Sequence, residues 1–162
     1  MHRPRPSHSC GFLSFCPLNV SDPFQVYVLG SGSSGNSSVL AFRDARDRRR
    51  FVQVDLGLGP RTSQRRAAHV GFDLEHVEAA IITHGDSDHI TATWWRTLAR
   101  RPIPVFVTAP HIRDVLRAGV PERCIRRLCQ SAAITEDLTV HTAVSPHDRE
   151  GSASLRFDLH PH

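Results

Sequence analysis

Short apolar runs separated by turn-forming residues fill the first third of the chain. The runs at 25–29, 39–42 and 51–54 predict three strands. A segment rich in glycine and serine, residues 30–36, joins the first pair, and a charged segment, residues 43–50, joins the second. Because consecutive short strands joined by polar turns usually pair with each other, we predict an antiparallel meander.

Helical spacing replaces this pattern after residue 59. Pro60 suits the first turn of a helix running to about residue 70, and Gly71 suits its C-terminal cap. A second helix is predicted from apolar residues that recur every four positions: Ile90, Trp94 and Leu98. A third is predicted to open at Pro110, with an apolar stripe formed by Ile112, Val115 and Leu116.

Further strands are predicted between and after these helices. Apolar runs at 79–82 and 104–107 indicate buried strands, and alternation over 138–144 and the run at 154–159 indicate two more. Residues 124–133 give no clear pattern. Since strands come first and then mix with helices, we predict a layered α/β domain.

Composition places the chain among ordinary globular proteins, with 40% hydrophobic and 22% charged residues. Residues 1–23 contain several prolines and no sustained period, so we predict a disordered or loosely packed extension before a domain at 24–162. No apolar run approaches the roughly 20 residues that span a bilayer, and no convincing signal peptide precedes the domain. We therefore expect no membrane partner.

All 20 basic residues are arginines, and the formal net charge is +4. This excess is compatible with phosphate contacts, but a coding bias toward arginine explains it equally well. The cysteines do not show the two-residue gap typical of zinc knuckles. We interpret them as free thiols in a cytoplasmic protein, with a disulfide as the alternative. They are Cys10, Cys16, Cys124 and Cys129.

The segment Gly30-x-Gly32-x-x-Gly35 matches the dinucleotide-binding fingerprint, and Asp55 lies where a ribose-binding carboxylate is expected. That fingerprint must open a helix, here over residues 36–48. The segment instead shows four apolar residues and then a charged block. We therefore favour a tight turn between paired strands and keep a nicotinamide-dependent oxidoreductase as an alternative.

Residues 83–89 concentrate the side chains most able to bind a metal. Imidazole and carboxylate groups suit zinc, iron or manganese at catalytic sites. Four such side chains follow the apolar run within six positions: His84, Asp86, Asp88 and His89. The alternative is an acidic loop whose aspartates cap a helix. Four ligands are too few for two ions, so a metal site needs further ligands.

One further ligand could come from a histidine elsewhere in the chain. His147 follows a predicted strand and sits in a loop, where the fold could bring it to the motif. Spacing alone does not rank it above His111 or His141.

Four segments, in their order and separations, resemble the metallo-β-lactamase-fold hydrolases, and specifically their WalJ-type (YycJ) subgroup. The resemblance runs from about residue 24 to about residue 159. The segments are LGSGSSGN at 29–36, VDLG at 54–57, THGDSDH at 83–89 and PHD at 146–148.

The resemblance implies an αββα sandwich with two metal ions at one edge, of which this chain would form the N-terminal portion only. It assigns the ligands of the first ion to His84, Asp86 and His147. It assigns the second ion to Asp88 and His89. Asp55 would orient the motif without binding metal. A metal-bound hydroxide would be the nucleophile, positioned by Asp88 as the catalytic residue.

Two departures from the family pattern qualify these expectations. The resemblance implies two zinc ions in the full-length family. The family has histidine where this chain has Asp86, an oxygen ligand that makes iron or manganese the alternative. The family also continues with a bridging aspartate and a later histidine, whereas the chain stops at His162. We therefore expect a C-terminally truncated member.

The resulting prediction is a metal-dependent hydrolase of phosphodiester bonds, a nuclease acting on a substrate such as DNA. The alternative is a truncated, non-catalytic member that binds metal or nucleic acid.

Overall fold

Two β-sheets stack on each other in the computed structural model, which describes residues 24–147 and 150–160. The larger sheet contains, in spatial order, β1 (Phe24–Gly30), β2 (Ser37–Arg43), β3 (Arg49–Val54), β4 (Val77–Ile82), β5 (Val105–Thr108) and β6 (Ile125–Leu128). The smaller contains β7 (Ser131–Ala133), β8 (Leu138–Ser145) and β9 (Ser152–Leu159). The extension predicted at residues 1–23 lies outside the described residues.

The predicted meander is confirmed, because β1 pairs antiparallel with β2 and β2 with β3. From β3 onward the sheet is parallel, so β4, β5 and β6 each require a crossover. The segment after the glycine-rich turn is strand β2, not a helix. The dinucleotide-binding alternative is therefore wrong, since its phosphate site depends on a helix at that point.

Three helices supply the crossovers: α1 (Pro60–His69), α2 (Trp95–Arg100) and α3 (Ile112–Arg117). The first matches its prediction, and Gly71 follows it with a φ of 84°, a left-handed conformation that glycine adopts without strain.

The second helix is shorter than its apolar spacing predicts. Ile90 lies in a parallel bridge with Leu56, and a 3-10 turn at Ala92–Trp94 precedes α2. The four-residue spacing still places Ile90, Trp94 and Leu98 in one core. In α3 the predicted stripe is wrong at Leu116, which is 41% exposed.

Two hydrophobic cores separate the layers. One lies between the larger sheet and the helices and contains Ala67, Trp94, Leu98 and Val115 from the helical segments. The other lies between the sheets, where Phe42, Ile81 and Leu138 are fully buried. The order helix, sheet, sheet gives three successive layers of the predicted αββα sandwich.

The carboxyl ends of β3, β4 and β5 meet at one edge of the larger sheet, because these strands are parallel. The β8–β9 hairpin reaches the same edge, where Ala153 N–H donates to the Thr83 carbonyl at 2.9 Å. The fold thus brings residues far apart in sequence to one place. In the described ranges, no helix is long and apolar enough to cross a membrane.

Candidate metal centre

Asp55, directly after β3, anchors the site from within the protein. Its backbone has a φ of 60°, and its side chain is buried. Oδ1 accepts the Thr83 N–H at 2.9 Å, and the Thr83 hydroxyl lies 3.0 Å from both carboxylate oxygens. Oδ2 lies 2.8 Å from His89 Nδ1, which must donate because a carboxylate only accepts. This placement agrees with an orienting role rather than direct metal binding.

His84 follows β4 and is buried, with its two ring nitrogens in different surroundings. Nδ1 lies 3.1 Å from Thr83 Oγ1 and 3.4 Å from Ser152 Oγ, while Nε2 faces Asp86. The Thr83 hydroxyl proton is committed to Asp55, so Nδ1–H donates and Nε2 carries the lone pair. Burial, followed by the nearby charge of His89, lowers the pKa of His84 and favours the neutral imidazole that a metal requires.

Asp86 and His147 complete a group of three donors with His84. One ligand atom from each lies within 4.8 Å of the other two. Asp86 Oδ2 is 3.5 Å from His84 Nε2 and 3.9 Å from His147 Nε2. The side chains of Asp86 and His147 are 54% and 50% exposed, so the group opens to solvent on one side.

Two imidazoles and one carboxylate, with an open side, form a donor set that suits one divalent zinc, iron or manganese ion. The three residues predicted for the first ion therefore fit such an ion chemically. Their assignment as ligands stays a prediction.

Asp88 and His89, whose assignment to the second ion stays a prediction, have hydrogen-bond partners within the protein. Asn36 Nδ2 lies 2.9 Å from Asp88 Oδ2 and 2.9 Å from His89 Nε2, so one amide donates toward both. Burial lowers the pKa of His89, but the hydrogen bond and the charge of Asp55 outweigh it and the pKa is raised. Within the described ranges, Asp88 and His89 form no group with a third histidine, cysteine, aspartate or glutamate in which all ligand atoms lie within 4.8 Å of one another. The pair alone does not fit a second ion as the first group does.

Backbone contacts hold Asp88 and His89 in this position. Asn36 N–H donates to the Asp88 carbonyl at 2.6 Å, and Leu56 N–H donates to the His89 carbonyl at 2.7 Å. A Cβ atom on Gly57 would lie 1.7 Å from the Asp88 carbonyl oxygen, so only glycine fits there. Three chain segments therefore interlock through main-chain atoms.

Asn36 belongs to the site, although the sequence pattern predicted only a turn over residues 30–36. The asparagine ends that turn with an amide able to donate twice. Asn36 also accepts the Gly32 N–H at 2.9 Å through Oδ1, which fixes the direction of its amide. The glycine-rich turn thus positions the Asn36 side chain at the candidate metal centre.

The fold separates the histidines that spacing could not rank. His147 reaches the motif, with its ring centroid 4.6 Å from that of His84. His141 faces Asp158 at 2.9 Å on the β8–β9 hairpin. His111 is buried beside His84, with ring centroids 6.4 Å apart, but belongs to a different group. Asp148, which completed the fourth segment, lies outside the described residues.

No protein-family model matches the sequence, and no curated protein matches it. Solved structures do. The Rm3 metallo-beta-lactamase is 15% identical with a TM-score of 0.60, over 82% of this chain and 53% of that one. A diphosphatase from the PhnP family is 16% identical with a TM-score of 0.59, over 83% of this chain and 61% of that one.

The metallo-beta-lactamase GOB-18 from Elizabethkingia meningoseptica is 15% identical with a TM-score of 0.53, over 76% of this chain and 50% of that one. The chain thus spans about half to three fifths of the length of these proteins. Identities this low show the fold alone. With its strand order, its layers and these likenesses, the chain has the metallo-β-lactamase fold.

Proposed function

We propose that this chain is a metal-dependent hydrolase of phosphodiester bonds, a nuclease-like member of the WalJ-type subgroup. One observation carries the proposal: His84, Asp86 and His147 converge on an open edge of the sandwich, with ligand atoms within 4.8 Å of one another. A divalent ion held by such a group acidifies water and draws charge from an ester oxygen.

The protein's own groups prepare this chemistry. Thr83 and Asp55 fix the ring of His84, so that Nε2 faces the open side with its lone pair. Asp88 is fixed through Oδ2 by Asn36, and its side chain is partly exposed. A carboxylate so held can orient an attacking water and accept its proton. We assign Asp88 this catalytic role.

Three observations support a phosphodiester as the substrate. One structural neighbour is called a diphosphatase. The four sequence segments resemble the WalJ-type subgroup, and the basic residues, all arginine, outnumber the acidic ones by 20 to 16. Arginine forms paired hydrogen bonds with phosphate oxygens. DNA is the proposed substrate, and the cytoplasm the proposed location, in keeping with the free thiols of Cys124 and Cys129.

Turnover assays with the metal-loaded chain test the proposal. We expect cleavage of bis(p-nitrophenyl) phosphate and of linear DNA, with little cleavage of a chromogenic cephalosporin. His84→Ala should abolish phosphodiester cleavage, and His141→Ala should preserve it, because His141 pairs with Asp158 outside the site. Preferred cleavage of the cephalosporin, or equal losses in both variants, would contradict the proposal.

The second candidate is a non-catalytic protein that binds metal or nucleic acid. The Asn36 amide favours it, because it occupies donors that the resemblance assigns to a second ion. Tight zinc and DNA binding without cleavage of any substrate above would favour this candidate over the hydrolase.

A further inference from the structure

A second group of donor atoms lies at the start of α3, outside the motif. It consists of His111, Asp114 and Glu150, whose ligand atoms all lie within 4.8 Å of one another. His111 ends the 3-10 turn that follows β5, and Asp114 comes three residues later on the same helical face. Glu150 comes from the connection between β8 and β9. The proposed hydrolase uses none of these residues.

The orientation of His111 leaves Nδ1 facing the two carboxylates. The residue is only 2% exposed, and its Nε2 lies 2.8 Å from the Gly151 carbonyl oxygen. Since a carbonyl only accepts, Nε2 carries a proton. Nδ1 then lies 3.5 Å from Glu150 Oε2. Metal-binding imidazoles are commonly fixed in this way, with one ring N–H on a backbone carbonyl and the other nitrogen toward the ion.

Both carboxylates lie close enough to His111 for one cation to contact all three groups. Asp114 Oδ1 accepts from Arg117 at 2.9 Å, an exposed pair that offsets little of the charge. Asp114 also packs against Gly85, where a Cβ atom would lie 2.9 Å from Oδ2. Glu150 is half exposed, which leaves room for water at an ion.

We propose that His111, Asp114 and Glu150 form a separate site for a divalent cation of the zinc, manganese or iron class. One imidazole and two carboxylates are the donors that such ions accept. Glu150 comes from the connection between β8 and β9, so an ion here would join that connection to α3.

The test counts zinc ions bound to the full chain and measures their affinities by isothermal titration calorimetry, with Zn²⁺ as the only probe. His147→Ala should remove the ion of the first group and leave one. Glu150→Gln should remove the other ion, or weaken it by about tenfold or more. The double variant should lose both. Glu122→Gln, at an exposed glutamate outside both groups, should match the wild-type chain.

Asp114→Asn provides a second variant that preserves the His111 hydrogen bond to Gly151, and it should reproduce the effect of Glu150→Gln. The rival interpretation is a doubly protonated His111 that pairs with Glu150 and binds no metal. If His147→Ala abolishes all zinc binding, or if Glu150→Gln and Asp114→Asn leave the zinc count and affinities unchanged, the proposal is overturned. These readouts are independent of turnover, so failure of the hydrolase proposal leaves them interpretable.

Discussion

The two halves of the segment from residue 83 to residue 89 differ in what satisfies their donor atoms. His84 Nε2 and the Asp86 carboxylate lie on the same side as His147, where Asp86 and His147 are about half exposed to solvent. Asp88 and His89 turn inward, where Asn36 and Asp55 provide hydrogen-bond partners. One short sequence therefore contains an open donor group and a closed one.

The comparison shows that ligand-type side chains in one short segment differ in whether their donor atoms already have hydrogen-bond partners in the protein. An imidazole nitrogen or carboxylate oxygen already hydrogen-bonded to protein must give up that bond before it binds an ion. The open group gives up little on binding. In the closed group, the Asp88 and His89 atoms that face Asn36 and Asp55 are engaged in contacts that connect three segments of the chain, while the Asp88 side chain stays partly exposed.

The largest expected effect is on zinc affinity. His84→Ala should weaken zinc binding at the first group by more than about 100-fold, beyond the usual effect of removing an outer partner. His89→Ala should weaken it by less than about tenfold, in keeping with its place in the closed group. Calorimetric titration measures both, with circular dichroism to check folding. Equal losses would erase the distinction between the groups.

Replacement of Gly57 should affect folding most strongly among the glycines near the site. A Cβ atom there would lie 1.7 Å from a backbone oxygen of Asp88, so Gly57→Ala should lower the free energy of unfolding by about 3 kcal/mol. Gly59→Ala is the matched control, since its Cβ would meet only the Thr93 hydroxyl at 3.2 Å. Urea denaturation of the metal-free chains measures both, and similar losses would contradict the backbone interlock.

Asp55→Asn should cost about 2 kcal/mol of unfolding free energy, the size of hydrogen bonds to a buried charged group. Asparagine tolerates the φ of 60°, so the loss reports on the carboxylate. Asp47→Asn is the control, because Asp47 has the same φ but an exposed side chain, and its loss should stay below about 0.5 kcal/mol. If Asp47→Asn lowers the free energy of unfolding as much as Asp55→Asn does, the loss at Asp55 comes from backbone conformation and not from the carboxylate.

Changes at Asn36 should open the closed group. Asn36→Ala removes the amide that donates toward Asp88 and His89 and should cost about 1 kcal/mol of unfolding free energy. Asn36→Asp places a third ligand beside the pair, and the number of bound zinc ions should rise by one. Elemental analysis after desalting measures this number. An unchanged count in Asn36→Asp would show that more than the amide excludes an ion.

The smallest effect concerns the pH dependence of stability in the metal-free chain. The pKa of His84 is lowered from 6.5, so the unfolded chain binds more protons there and stability falls as the pH drops below 6.5. The pKa of His89 is raised, so its contribution is full below 6.5 and is lost as the pH rises through the raised value.

His84→Gln should therefore flatten the acid side of the stability profile, and His89→Gln the alkaline side. Urea midpoints between pH 5 and pH 9 measure both profiles. If the two variants flatten the same side, the histidines do not differ in the predicted sense.

Local signals in the sequence predicted much of the fold. The first three strands and α1 carry their own apolar period and turn residues, and each formed where expected. The helix over residues 90–98 was predicted too long, because Ile90 pairs with Leu56 from a distant loop. Strand β6 was missed because Arg126 and Arg127 are exposed at its centre and interrupt any apolar pattern.

The candidate site was also predictable only where its signals are local in the sequence. His84 and Asp86 lie two positions apart, so the sequence alone predicts a group of metal donors there. The family resemblance added His147. The role of Asn36 could not be predicted, because it depends on contacts with Asp88 and His89, which lie 52 and 53 positions further along the chain. The Gly57 contact with Asp88 is equally non-local, and only the folded backbone reveals it.

Asp86 has a consequence for how this centre can diversify. Its side chain is more than half exposed and contacts the other donors without a part in the backbone interlock around Asp88. In the proposed metal site, a substitution there would change the type of donor atom while the hydrogen bonds around Asp88 stay in place. Metal selectivity and folding would then be separable traits of the proposed site.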